Sequence, residues 1–252
     1  SCTITDGSRL GSSSNLFHSF THFNVETNAT VTFDPFADVT NIFSRVTGST
    51  ASTINGTLAV SNDVNLFLLN PNGILFGENA QLDIGGSFLA STADSILFKD
   101  KTQFSAATPA ASSALLTVSV PEGLQFDSAP QNIDIGTDNV PSNRLYVGDG
   151  NTLAFVGGDV VLKGASLSQP NSDHIGHIEL GSIGPNSRVT FDASNPQWDF
   201  DYSNVLAFQD ISILQSSFVN VSGNDAGRIQ LQGAQIEIDS SNLVAQVSDA
   251  GN

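Results

Sequence analysis

The sequence contains no methionine and a single cysteine, Cys2. No intrachain disulfide can form, so the fold must be held by its core rather than by covalent staples. A chain without cross-links can also be threaded unfolded through a pore. Basic residues are scarce: 8 Lys and Arg against 25 Asp and Glu leave a formal net charge of −17. Such a chain repels phosphate backbones and anionic membrane surfaces, which argues against nucleic acid as a partner. Charged residues make up 13% of the chain and hydrophobic ones 39%, a balance that fits a folded protein rather than a disordered one. No stretch approaches the roughly 20 apolar residues of a membrane helix, so no stable membrane insertion is expected. Residues 1–15 have neither the basic start nor the apolar run of a signal peptide. Both ends read as processing boundaries, and residues 248–252 stop within a repeating pattern, so the chain is expected to continue natively.

Helical periodicity is nearly absent as well. What the sequence has instead is short strand-like runs separated by Gly, Asn, Asp and Ser. Examples are Val31-Thr32-Phe33, Gly56-Thr57-Leu58-Ala59-Val60, Gln81-Leu82-Asp83-Ile84 and Leu115-Leu116-Thr117-Val118. The second half repeats. Apolar positions fall at Val160, Leu167 and Ile178, then at Ile211, Phe218 and Ile229, an offset of 51 without a gap, and Ile236 and Leu243 continue the series. Units of about twenty residues that cannot bury an apolar face alone must stack, which is the signature of a solenoid. Ile229, Leu231, Ile236 and Ile238 are expected to face inward, Gln230 and Glu237 outward. A β-sandwich also gives short alternating strands; the repeated spacing favours a parallel β-helix. A single domain over 1–252 follows.

The run Asn65-Leu66-Phe67-Leu68-Leu69 breaks the alternation, because both of its faces are apolar. A strand buried on both sides needs a cover on its outer face. The less regular stretch 99–150, with its Ala/Ser loop over 105–114, is the candidate for that extra-helical element. Residues 31–98 read as the first solenoid turns and 151–252 as regular ones. The Phe-rich segment holding Phe17, Phe20 and Phe23 suits an amino-terminal cap over 1–30, since an open solenoid end exposes unpaired backbone and core. Asn70-Pro71-Asn72-Gly73 is a strong turn signal between two apolar runs, with Pro presetting φ and Asn or Gly accepting positive φ.

Chemistry-bearing constellations are thin. Asp192, Asp199 and Asp201 surround Trp198 in what reads as an irregular loop, with Trp198 better placed as a packed anchor than as a sugar platform. Lone basic residues (Arg144, Lys163, Arg188, Arg228) do not build the site a β-helical lyase would need. His18 and His22 share a face if extended, yet lack further metal ligands; His174 and His177 read as a turn before a strand. The triplets at Asn28, Asn55 and Asn220 match the glycosylation pattern, which is common by chance in such chains. No catalytic residue, metal site or cofactor is assigned, and the chain is not read as an enzyme.

Three segments resemble one family. They are Asn15-Leu16-Phe17-His18-Ser19-Phe20-Thr21-His22-Phe23-Asn24-Val25; Asn70-Pro71-Asn72-Gly73-Ile74-Leu75-Phe76-Gly77 with the following 82–92; and Val118-Ser119-Val120-Pro121-Glu122-Gly123-Leu124-Gln125-Phe126. Together they are similar to the two-partner secretion domain at the start of filamentous-haemagglutinin-type exoproteins, with a flavour closer to cyanobacterial members than to the haemolysin branch. The Asn-Pro-Asn-Leu motif of other branches is not found. The resemblance implies a right-handed parallel β-helix with an amino-terminal cap and an extra-helical β-hairpin. It also implies an export signal recognised in the periplasm by the POTRA domains of an Omp85-type outer-membrane transporter, with the product secreted or held at the cell surface, and a monomer that nucleates β-helix folding. The family-motif residues it singles out are Asn70, Pro71, Asn72, Gly73 and Ile74, and Asn15, Phe17, Phe20, Phe23 and Asn24. The alternative is a β-helical carbohydrate-active enzyme or lectin.

Overall fold

The computed structural model describes residues 1–109, 116–137, 143–168, 176–225 and 227–247. Among them the chain is all strand, turn and loop, wound into a parallel solenoid with three faces. The first face stacks β1 (Cys2–Ile4), β3 (Thr30–Phe33), β6 (Thr57–Val60) and β9 (Gln81–Ile84). Bridges from Gln81 to Arg144 and from Leu145 to Leu167 carry this face on to β17 (Ser166–Ser168), β22 (Phe218–Asn220) and β25 (Asn242–Val244). The second face is the longest: β2 (Asn15–Phe20), β4 (Asn41–Val46), β7 (Asn65–Leu69), β10 (Phe88–Ser91), β15 (Thr152–Gly157), β18 (His177–Ser182) and β23 (Arg228–Gln232). The third holds β5 (Ser52–Ile54), β8 (Ile74–Phe76), β14 (Ile133–Gly136), β16 (Val160–Lys163), β21 (Ile211–Leu214) and β24 (Ile236–Ile238).

Register makes columns. On the second face Leu16, Ile42, Leu66, Phe88, Leu153, Ile178 and Ile229 stack inward, in the solenoid core. The outward column directly beside it is Phe17, Phe43, Phe67, Leu89, Ala154, Glu179 and Gln230. Side chains alternate between faces along each strand, so a second core must cover this outer column. An antiparallel sheet does so, built from β11 (Ser95–Phe98), β12 (Gln103–Ser105), β13 (Pro121–Phe126), β19 (Ser187–Asp192) and β20 (Asp199–Asp201). It leaves the solenoid twice, once after β10 and once after β18, and the two excursions join at the β13–β19 pair. Phe67 and Leu69 lie in this second core while Leu66 and Leu68 lie in the first, which is why β7 is apolar on both sides.

The extra-helical sheet draws on more of the chain than 99–150. It takes in 95–98 and the whole second excursion, while β14 within that stretch belongs to the third face. The Phe-rich segment forms the first strand of the second face, and an antiparallel bridge from Ser8 to Phe17 closes its outer edge. Leu116, Thr117 and Val118 form no strand, and Leu115 lies outside the described residues, as do 110–114 of the Ala/Ser loop, His174 and 248–252.

Three further expectations need correction. Val160 pairs with Ile211 and Ile178 with Ile229, so the offset of 51 separates adjacent rungs, one turn plus an inserted excursion. Leu167, however, pairs with Val219 and not Phe218. Gln215 and Ser216, both at positive φ, absorb one extra residue at that corner, turning Val219 inward and Phe218 out. The acidic segment around Trp198 is irregular only over 193–198: Asp192 ends β19, Asp199 and Asp201 lie in β20, and Trp198 is the packed anchor, 0% exposed. Ile236 and Ile238 continue the inward columns of the third face, yet are 42% and 49% exposed because no described turn stacks above them.

Candidate functional site

The corner between β7 and β8 is the segment Asn70-Pro71-Asn72-Gly73, and Ile74 opens β8 beyond it. The Gly73 N–H donates to the Asn70 carbonyl at 3.1 Å, closing a four-residue turn. Pro71 sits at the second position, where its fixed φ suits the turn. Gly73 has φ +108°, a conformation that disfavours any side chain. The corner is tied to the turn beneath it by amides. Asn70 Nδ2 donates to Thr50 O at 3.1 Å and Ser52 Oγ at 3.0 Å, and Asn70 Oδ1 accepts from the Asn72 N–H at 3.0 Å. Asn72 Nδ2 donates to Gly48 O at 2.8 Å and to Asn70 Oδ1 at 3.2 Å. Ile74 is buried in the solenoid core, paired with Ser52 below and Ile133 above.

Asn70 is 0% exposed, whereas Pro71 and Asn72 are half-buried. The two Asn residues therefore differ in kind: one is an internal clamp, the other a surface residue that also bonds. Beside the corner lies an open groove of about 770 Å³, bounded by Gly48, Pro71 and Asn72 on the solenoid and by Asp94, Ala106 and Ser128 at the neck of the first excursion. Asp94 closes that neck. Its Oδ2 accepts from the backbone N–H groups of Asp127 at 2.8 Å and Ser128 at 3.1 Å.

The second predicted set lies one to two turns away. Asn15 begins an amide ladder: Asn41 Nδ2 donates to Asn15 Oδ1 at 3.1 Å, Asn65 Nδ2 to Asn41 Oδ1 at 2.9 Å, and the Ser87 N–H to Asn65 Oδ1 at 2.9 Å. Asn15 Nδ2 itself donates to Thr117 O and Ser119 O. Phe17 starts the outer aromatic column, with centroids 5.1 Å to Phe43, 4.6 Å from Phe43 to Phe67 and 4.8 Å from Phe67 to Trp198. Phe20 and Phe23 pack at the opposite, inner side of the wall with Phe33. His18 lies inside with them while His22 is exposed and contacts Thr50 Oγ1, so the two histidines do not converge.

The two motifs meet on β5. Asn24 Oδ1 accepts from the Thr53 N–H at 2.8 Å on one side, and Asn70 reaches Ser52 on the other. Sequence reading did not single out Gly48, Thr50, Ser52 or Asp94. Their partners are a full turn or a whole excursion away, a distance no local motif encodes. Among the described residues no group of three or more His, Cys, Asp or Glu is placed to hold a metal, and the corner presents hydrogen-bonding groups without a nucleophile or a general base. What the arrangement does chemically is fix the backbone.

The family model of the TPS secretion domain matches residues 1–231. No curated protein matches the chain. Among solved structures, the secretion domain of HMW1 from Haemophilus influenzae superposes with a TM-score of 0.59 at 19% identity, covering 95% of this chain and 64% of that one. At that identity the likeness concerns the fold, a parallel β-solenoid. With nearly the whole chain matched by the family model, this protein belongs to the TPS secretion domain family.

Proposed function

We propose that the chain is the amino-terminal secretion signal of a larger exported protein, recognised in the periplasm by the POTRA domains of an Omp85-type outer-membrane transporter, and that the Asn70 corner serves export through the fold it sets. Family membership supports the secretion role. The observation that carries the second half is the complete burial of Asn70, whose amide is satisfied by its own chain. In the folded domain that side chain has nothing left to offer a transporter. Recognition on this reading precedes folding: an extended segment adds to a POTRA sheet edge by main-chain bonds, and slow, non-local parallel pairing keeps the chain extended long enough. The corner then nucleates the β-helix outside the cell.

The carbohydrate-binding alternative has lost its anchor, since Trp198 is buried between Phe67 and Phe191 and offers no face to a sugar. The test is a fusion of this domain to an inert passenger, with and without the partner transporter. Export is expected only with the transporter, and Asn70→Ala is expected to lower it more than Asn72→Ala. Normal export of Asn70→Ala sinks the role of the corner; export without the transporter sinks the whole reading.

A further inference from the structure

The sequence has two Asn–Gly pairs, Asn55-Gly56 and Asn72-Gly73, and in both the fold dictates the glycine. Gly73 closes its corner at φ +108°. A Cβ on Gly56 would lie 2.3 Å from Glu26 O and 2.4 Å from Ala29 O, so the chain beneath admits no side chain there. A glycine also leaves its own amide nitrogen unshielded, having no Cβ. That nitrogen is the nucleophile that attacks the carboxamide of a preceding asparagine. Each corner therefore carries a reactive dipeptide because its backbone geometry demands one.

In the folded chain both asparagines are held away from that reaction. The Gly73 N–H donates to Asn70 O at 3.1 Å, which ties up the nucleophile. Asn72 Nδ2 donates to Gly48 O at 2.8 Å and to Asn70 Oδ1 at 3.2 Å, which fixes the carboxamide. Asn55 is pinned from two neighbouring corners: its Oδ1 accepts from the Asn79 N–H at 3.0 Å and its Nδ2 donates to Thr27 Oγ1 at 2.9 Å. The two differ in what they touch. Gly48 O and Asn70 Oδ1 only accept, so an oxygen in place of Asn72 Nδ2 faces two oxygens with no proton between. Thr27 is a hydroxyl and can turn to donate, so an oxygen in place of Asn55 Nδ2 keeps its bond.

We propose that Asn72 is a folding-gated self-modification site: it deamidates while the corner is open, and the product bars the corner from closing. The Gly73 nitrogen gives its proton to water and attacks Asn72 Cγ. The N–Cγ bond forms, the Cγ–Nδ2 bond breaks, and Nδ2 takes up a proton and leaves as ammonia, giving a cyclic imide. Water then opens the ring. Cleavage at Cγ leaves aspartate; cleavage at the main-chain carbonyl leaves isoaspartate, whose main chain runs through Cβ and Cγ and is one carbon longer. Aspartate sets a carboxylate against Gly48 O and Asn70 Oδ1. Isoaspartate lengthens the turn, so Gly73 no longer meets Asn70 O and Ile74 loses its register on Ser52. Time spent unfolded is thereby recorded at the corner that ties β8 to the turn beneath it. The same chemistry at Asn55 yields, in its aspartate form, a side chain the fold accepts.

The whole domain is aged unfolded in guanidinium chloride and, in parallel, folded in buffer at the same pH and temperature. Peptide masses follow conversion at 55 and 72, and an endoprotease that cuts at aspartate but not at isoaspartate separates the products. Both positions are expected to convert at similar rates in denaturant. In the folded domain, which reacts only through local opening, Asn72 should be slowed by at least about tenfold. The aged chains are then brought to the urea midpoint of the unaged domain, where a brief protease pulse removes the unfolded fraction. Chains converted at 72 should show a folded-to-unfolded ratio about tenfold below that of unconverted chains, and chains holding aspartate at 55 a ratio within about threefold. Asn72→Asp and Asn55→Asp, made directly, should reproduce that contrast without ageing. Conversion of Asn72 as fast in the folded domain as in denaturant overturns the proposal, and so do equal ratios for the two positions. If Asn72→Asp does not fold at all, the partition of the aged native chains still decides.

Discussion

Replacing Asn70 by alanine asks whether the corner holds two turns together. The side chain makes four contacts that alanine cannot: to Thr50 O, to Ser52 Oγ, and from the Asn72 N–H and Asn72 Nδ2, at 3.0–3.2 Å. A typical hydrogen bond contributes about 1 kcal/mol net, and a buried group left without a partner costs about 1–3 kcal/mol. Ser52 is buried, whereas Thr50 and Asn72 reach solvent and can be rehydrated. The sum is then about 3 kcal/mol, one unrelieved loss at Ser52 and three milder ones that water relieves. Asn72→Ala removes chiefly the bond to Gly48 O at a half-exposed position, so about 1 kcal/mol is expected. Urea unfolding followed by Trp198 emission reads both. The midpoint should drop with an unchanged slope, because the surface exposed on unfolding is the same. Equal costs for the two variants, or a cost below about 1 kcal/mol for Asn70→Ala, would refute the claim that this amide clamps neighbouring turns.

Two other perturbations probe the inner and outer cores. His18 lies in the solenoid interior with Nε2 unpartnered, and burial lowers its pKa from 6.5 to about 4. The unfolded chain takes the proton near pH 6.5 and the folded one only near 4, so stability falls as pH drops through that window and levels off below it, by at most about 3 kcal/mol. His18→Leu should flatten that part of the urea midpoint against pH, and an unaltered slope would show that His18 does not drive it. Phe67→Ala removes the ring between Phe43 and Trp198, at an expected cost of about 3–5 kcal/mol in urea. A loss under about 1 kcal/mol would mean the aromatic column does not fasten the excursions to the solenoid.

The solenoid was legible because its columns are chemically uniform. Ile178 and Ile229, or Val160 and Ile211, carry the same residue type at the same rung position, and a pattern detector needs nothing more. The slip at Phe218 was not legible, because apolarity alone ranks Phe above Val as the inward residue. Only the two positive-φ residues at 215 and 216 reveal the extra step. An offset of 51 also cannot tell two turns from one turn and an excursion, which is why the second excursion escaped notice while the first was inferred from the double apolarity of β7. The hairpin of β19 and β20 hid for another reason. Asp192, Asp199 and Asp201 mark its solvent side and mask the inward Phe191, Trp198 and Phe200. At the corner, the turn could be read from Asn, Pro and Gly, but its partners Gly48, Thr50 and Ser52 lie 18–24 residues earlier. Only the stack brings them together.

That spacing also bears on why the clamp is polar. Ile42 stacks on Leu16, Leu66 on Ile42 and Phe88 on Leu66, each about one short turn later. The next rung, Leu153 on Phe88, waits for the whole first excursion. Loop closure makes the difference only about 1 kcal/mol, but the cover of the outer column arrives much later still, since Phe67 meets its Trp198 partner only when the second excursion is in place. Every side-chain partner of Asn70 and Asn72, by contrast, lies between Gly48 and Asn72. If the chain folds from its amino terminus onward, the corner can close while Phe17, Phe43 and Phe67 still face water. An apolar plug at that place would add to the uncovered surface and invite the wrong contacts. Amides that bond only to the turn just formed fix the register of β8 on β5 without waiting for a cover. On that argument the position most sensitive for the early fold is the buried amide at Asn70, and the aromatic column matters once both excursions have arrived.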